Sequence, residues 1–189
     1  VVGPGKHTAR AAPDKFVTRE ATSEEKVWWG EHNRPFTQPN FNTLLTRMQG
    51  YLQRRDVFVQ DCYAGADPDH QLPMRIVTAK TWHSLFARTM FAKPRNLDAY
   101  RKHVPEFTVI CTPDFHASPL IDSTRTQTFI IVNFAARLAI IGGSAYAGEI
   151  KKTIFTVQNY LLPLDGALPM HCSANVGADG DVAIFFGLS

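Results

Sequence analysis

TQTFIIVNFAARLAIIGGSAYAGEIKKTIF, residues 126–155, holds the key to the fold. Two apolar runs rich in β-branched residues, TQTFIIVNF and RLAIIGG, are separated only by Ala135 and Ala136, which is the spacing of a strand hairpin. The period then changes. In AGEIKKTIFTVQNYLLP, Ile150, Ile154, Val157 and Leu161 recur on one helical face, with Pro163 placed just beyond the helix,. Strands delivering a helix through Gly142, Gly143 and Gly148 predict a mixed sheet covered by helices.

The segments upstream fit that plan. Phe41, Leu44, Leu45, Met48, Tyr51 and Leu52 share a helical face in FNTLLTRMQGYLQRR, and Asn40 is the expected cap,. DVFVQDCYAG, PMRIVTA and EFTVICTP read as strands,. KTWHSLFARTMF reads as a helix with Trp82, Leu85, Phe86, Thr89 and Met90 turned toward the core,. ARAAPDKFVTREATSEEK and GEHNRPFTQPN, broken by proline, read as loops,. Downstream, LPMHCSANV and DVAIFF read as two further strands around GADG.

A chain of 189 residues is long enough for one sizeable core, and 44% hydrophobic with 20% charged residues is a globular composition,. The net charge of +3 is too small to argue for nucleic acid, and no stretch approaches the roughly 18 apolar residues of a membrane span,. Three scattered cysteines without a CxxC pair suggest neither a disulfide framework nor a zinc site, which fits a cytoplasmic protein,. The first residues lack a starting Met and a signal-peptide core, and both ends read as cut,.

Four stretches carry possible chemistry. In GGSAYAGEIKKTIF, glycines allow a ligand close to the backbone, Tyr146 offers a hydroxyl, and Lys151 and Lys152 lie near an electropositive helix start that favours an anion,. Adjacent helical residues point about 100° apart, so the two lysines would reach different ligand atoms. In PMHCSANV, strand alternation turns His171 away from the core and from Cys172,. Arg10 in TARAAPDK has the planar fork that suits a dicarboxylate,. DVAIFFGLS is a strand running into Gly187, Leu188 and Ser189, the opening of a phosphate-binding loop,.

Taken together, YAGADP at 63–68, WHSLFARTMF at 82–91, YAGEIKKTIF at 146–155, NYLLP at 159–163 and the final MHCSANVGADGDVAIFFGLS resemble, in order and spacing, the ATP-dependent phosphoenolpyruvate carboxykinases. The resemblance runs over nearly the whole chain. It implies a substrate- and metal-binding amino-terminal domain at 1–165, then the first strands of a nucleotide-binding domain at 166–189. In that family FFGLS continues as Gly-Thr-Gly-Lys-Thr, and a further aspartate ligand, the phosphate-loop lysine and the adenine site follow.

The implied reaction, a gluconeogenic step, converts oxaloacetate and ATP to phosphoenolpyruvate, CO2 and ADP, with Mg²⁺ on the nucleotide and Mn²⁺ in the active site. The resemblance places Arg10 and Tyr146 at the organic substrate, and Lys152 and His171 as Mn²⁺ ligands approaching the γ-phosphate. It also implies that Lys151 steadies the enolate or transferring phosphoryl, that Lys152 contacts substrate, and that Gly187, Leu188 and Ser189 begin the ATP cradle. A monomer without turnover of its own is expected.

The family's TGRSPKDK is here TARAAPDK, with Ala9 in place of glycine. If that glycine held a positive φ, Ala9 would strain the loop by roughly 1 kcal/mol. The altered loop favours an alternative: a non-catalytic domain that keeps only an anion pocket at Tyr146, Lys151 and Lys152.

Overall fold

In the computed structural model, which describes residues 8–187, Ala12–Asp14 form a 3-10 turn that leads into β1 (Lys15–Arg19). β2 (Arg34–Thr37), α1 (Gln38–Leu52), β3 (Phe58–Ala64), β4 (Leu72–Thr78) and α2 (Thr81–Met90) follow. Then come α3 (Leu97–Lys102), β5 (Phe107–Thr112), α4 (Pro119–Asp122), β6 (Phe129–Asn133), β7 (Leu138–Gly142) and α5 (Gly148–Leu164). β8 (Ser173–Val176) and β9 (Val182–Phe185) form a separate antiparallel hairpin.

The first seven strands make one mixed sheet in the order β2-β1-β6-β7-β5-β4-β3. The β6/β7 and β3/β4 pairs are antiparallel and the other pairs are parallel. Every residue of β6 is buried, because both faces of the sheet are covered. Phe129 and Ile131 pack with Phe41, Leu44 and Met48 of α1, whereas Ile130 and Val132 share the other layer with Ala87 of α2 and Ile150, Ile154 and Val157 of α5. The near-continuous apolar run of FIIVN is the pattern such a central strand needs.

Both proline-containing segments read as loops contribute strands. β1 lies between β2 and β6, and its Phe16 and Val17 enter opposite core layers. Pro35 is tolerated in β2 because that strand is at the sheet edge, where a missing amide donor leaves no ladder bond unmade,. The cap of α1 is Thr37 rather than Asn40: Thr37 Oγ1 accepts the Asn40 N–H at 3.3 Å,. The β6/β7 connection spans four residues, with Arg137 at φ 50°, and Pro163 lies inside the last turn of α5.

The face of α2 also differs from expectation. Its buried residues are His83 and Ala87, while Trp82, Leu85, Thr89 and Met90 are exposed and Phe86 is half-buried. A helix lying close on β3 and β4 uses its smaller residues at the contact, and apolar periodicity alone does not distinguish that face from a larger one,. β8 begins at Ser173, so His171 and Cys172 precede the strand and strand alternation does not govern them.

Candidate functional site

The chemistry-bearing residues meet around the start of α5. β7 ends at Gly142 and is followed by Gly143, and both need to be small. A Cβ on Gly142 would lie 2.4 Å from the Phe129 ring, and one on Gly143, at φ +68°, would lie 2.6 Å from the Gln127 carbonyl oxygen,. Tyr146 then folds its ring back over Gly148, where a Cβ would come within 2.4 Å of it. The first turn of α5 carries the buried Glu149, an acidic residue where the helix dipole favours one, and the half-buried Lys151 and Lys152 follow,.

Lys152 Nζ is 3.4 Å from His171 Nε2, and the His171 ring lies 5.5 Å from that of Phe155. Desolvation lowers the Lys152 ammonium below its ordinary pKa, Lys151 and then Arg10 lower it further, and Glu149 partly opposes them,. Arg10 is exposed and lines a cavity of about 480 Å³ with Lys15, Glu31, His32 and Arg34. Lys152, His171, Lys151 and Arg10 are thus gathered from three parts of the chain. Gly187 is exposed beyond β9, and Leu188 and Ser189 lie outside the described residues.

Several supporting groups went unrecognised in the sequence. Asp14 is almost fully buried and accepts from Arg125 Nε and Nη2, both at 3.0 Å, and from Thr126 Oγ1 at 3.0 Å. Lys15 Nζ donates to Thr156 Oγ1 at 2.6 Å, and that hydroxyl donates to the Lys152 carbonyl at 3.0 Å. Burial, then Arg10, lowers the Lys15 pKa. These bonds hold the Arg10 loop between β6's approach and α5. Asp14 and Lys15 stand in the quoted TARAAPDK, yet nothing local to that motif names partners more than a hundred residues away.

Ala9 does not strain the loop. Among described residues the non-glycine positions with positive φ are Arg54, Ser123 and Arg137. The replacement of glycine at position 9 therefore carries no left-handed backbone cost.

His83, beneath this region, is 1% exposed, and neither ring nitrogen makes a hydrogen bond of normal geometry. Burial pushes its pKa down to about 4, and Lys80, itself paired with Asp114 at 2.7 Å, adds to the shift, while the Ser144 backbone and Asp114 weakly oppose it. Because the folded value lies below the unfolded 6.5, acid favours unfolding. The contribution of neutral His83 is fully present above pH 6.5 and is lost as pH falls toward 4, to a total of about 3 kcal/mol,. Urea unfolding across this range should show a shallower loss for His83→Gln than for the parent protein; parallel curves would show that His83 does not contribute.

The mixed α/β domain thus brings arginine, two lysines and histidine beside a glycine-rich turn, a cationic cluster whose chemistry suits an anion,. The family it belongs to is that of phosphoenolpyruvate carboxykinase, whose family model matches residues 1–189. The chain is 55% identical to phosphoenolpyruvate carboxykinase (ATP) of Geobacter sp. (strain M21) over 188 residues, which is 100% of this chain and 35% of that relative. It is 56% identical to the protein of the same name in Geotalea uraniireducens (strain Rf4) and 52% identical to that of Thermus thermophilus, covering all of this chain and 36% of each relative. The chain therefore spans about a third of the length of these curated relatives.

Proposed function

We propose that this chain is the amino-terminal substrate- and metal-binding part of an ATP-dependent phosphoenolpyruvate carboxykinase, which turns oxaloacetate and ATP into phosphoenolpyruvate, CO2 and ADP. The observation that carries this reading is the 3.4 Å approach of Lys152 Nζ and His171 Nε2 within electrostatic reach of Lys151 and Arg10.

Arg10 and the Tyr146 hydroxyl hold the organic acid, the guanidinium by its carboxylate. Breaking the carbon–carbon bond to the departing carboxylate leaves an enolate, and Lys151 lies on the same helix turn to counter its charge. The enolate oxygen then takes the γ-phosphoryl of ATP and ADP leaves, a transfer governed by positioning and by cations around the phosphoryl oxygens. Gly187, Leu188 and Ser189 open the loop that receives the nucleotide phosphates.

Lys152 and His171 fit a divalent ion such as Mn²⁺. Two nitrogen donors lie together, and the lowered pKa of Lys152 brings its neutral, metal-binding form within easier reach,. When bound, such an ion would supply Lewis-acid stabilisation of developing negative charge. Mg²⁺ accompanying ATP, a gluconeogenic role in the cytoplasm and a monomeric state belong to the same proposal. Ala9 is not among the non-glycine residues with positive φ, so strain at that one position does not argue for a domain that binds anions without catalysis.

The test is oxaloacetate consumption by the complete protein with Mn²⁺ and ATP, read as phosphoenolpyruvate and ADP formed in equal amounts. Binding of oxaloacetate without either product would favour the non-catalytic domain. Turnover by the 189-residue chain itself would show that it contains the whole catalytic apparatus.

A further inference from the structure

Glu149 is 4% exposed, yet it lies within electrostatic range of Arg10, Lys15 and Lys152, and also of Asp14. Its Oε1 accepts the Ala11 N–H at 2.7 Å, a bond between residues 138 positions apart. The loop carrying Arg10 is thus fastened to the helix turn carrying both lysines, at the residue next to Arg10. The other buried carboxylate of this loop, Asp14, is already engaged by Arg125 and Thr126. Burial, with a smaller push from Asp14, moves the Glu149 carboxyl above its ordinary pKa, while the Ala11 amide, Arg10 and Lys15 pull it back, so its negative form depends on the neighbours it organises,.

We propose that Glu149 is a positioning residue. Its carboxylate locks the Arg10 loop onto α5, setting the guanidinium against Lys151 and Lys152, and offsets the mutual repulsion of these cations before an anionic substrate arrives. Calling Arg10 and the lysines substrate groups rests on the function proposed above; the fastening of the loop does not.

The experiment compares parent, Glu149→Ala and Glu149→Gln in the complete protein by three readouts: Ala11 amide exchange, calorimetric affinity for oxalate as a dicarboxylate probe, and steady-state kinetics. In Glu149→Ala, loss of a hydrogen bond to a charged group should speed Ala11 exchange and weaken oxalate binding, each by about 10- to 100-fold. KM for oxaloacetate should rise by more than kcat falls. Glu149→Gln keeps an acceptor for Ala11 but not the charge, so Ala11 protection should be restored to within about 3-fold while oxalate affinity weakens by about 3- to 10-fold.

Unchanged Ala11 exchange in Glu149→Ala would overturn the lock, and unchanged oxalate affinity in a loosened loop would overturn its bearing on the site. Should Glu149→Ala not fold, Glu149→Gln decides the matter: parent-like or tighter oxalate affinity would overturn the proposal, and weakened affinity with Ala11 still protected would support it. Absence of turnover in the parent would count against the enzyme reading alone, since exchange and oxalate binding do not depend on it.

Discussion

Lys152→Ala is expected to lower the turnover of oxaloacetate by the complete protein about 10²- to 10³-fold, the size of effect seen when a positioned electrostatic group is lost. The fold should survive. Lys152 is half-buried on α5, and the side-chain partner of its ammonium is the exposed His171 rather than a core group. The substitution removes a nitrogen donor 3.4 Å from His171 and a charge from the Arg10–Lys151 cluster. Mn²⁺ titration separates these roles. If Mn²⁺ affinity is unchanged in Lys152→Ala, the ligand role is wrong and only charge remains. Lys152→Arg sharpens the comparison, because a guanidinium keeps the charge but does not become a neutral donor near neutral pH. It should therefore fail to restore Mn²⁺ affinity.

Phe129→Ala should destabilise the fold by about 3–5 kcal/mol, the cost of removing a fully buried aromatic ring from a core that collapses only in part. Phe129 is at 0% exposure, packs edge-on to Phe115 at 6.0 Å, and is the cross-strand partner of Gly142. The ring occupies the space into which a Gly142 Cβ would project. The two positions are therefore coupled: Gly142→Ala alone should be destabilising, but its additional cost in the Phe129→Ala background should be smaller. Urea unfolding of the two single variants and the double variant measures this, and simple additivity would show that ring and backbone do not compete for that space.

The parts of the fold that were readable locally are those where one segment carries its own explanation. FIIVN up to its final Asn133, and LAIIG throughout, are apolar because both faces of their strands are covered, and Ile150, Ile154 and Val157 line one side of α5. Lys151 and Lys152 were visible as cations near a helix start. β1 was not, because KFVTR is short, charged at both ends and preceded by Pro13; it becomes a strand through pairing with β6, more than a hundred residues later. The face of α2 was misread for a related reason. Hydropathy favours Trp82, Leu85 and Met90, but close approach to the sheet selects Ala87 and His83,.

Sequence alone determined the mixed α/β class, the strand hairpin feeding α5, and membership of the phosphoenolpyruvate carboxykinase family, since these rest on periodicity and on motifs read in order. The tertiary structure decided which distant groups meet. It put His171 beside Lys152, Ala11 under Glu149 and Asp14 against Arg125. A side chain's chemical type is written in its own position, whereas its charge state and partners depend on which segments the sheet brings within a few ångströms.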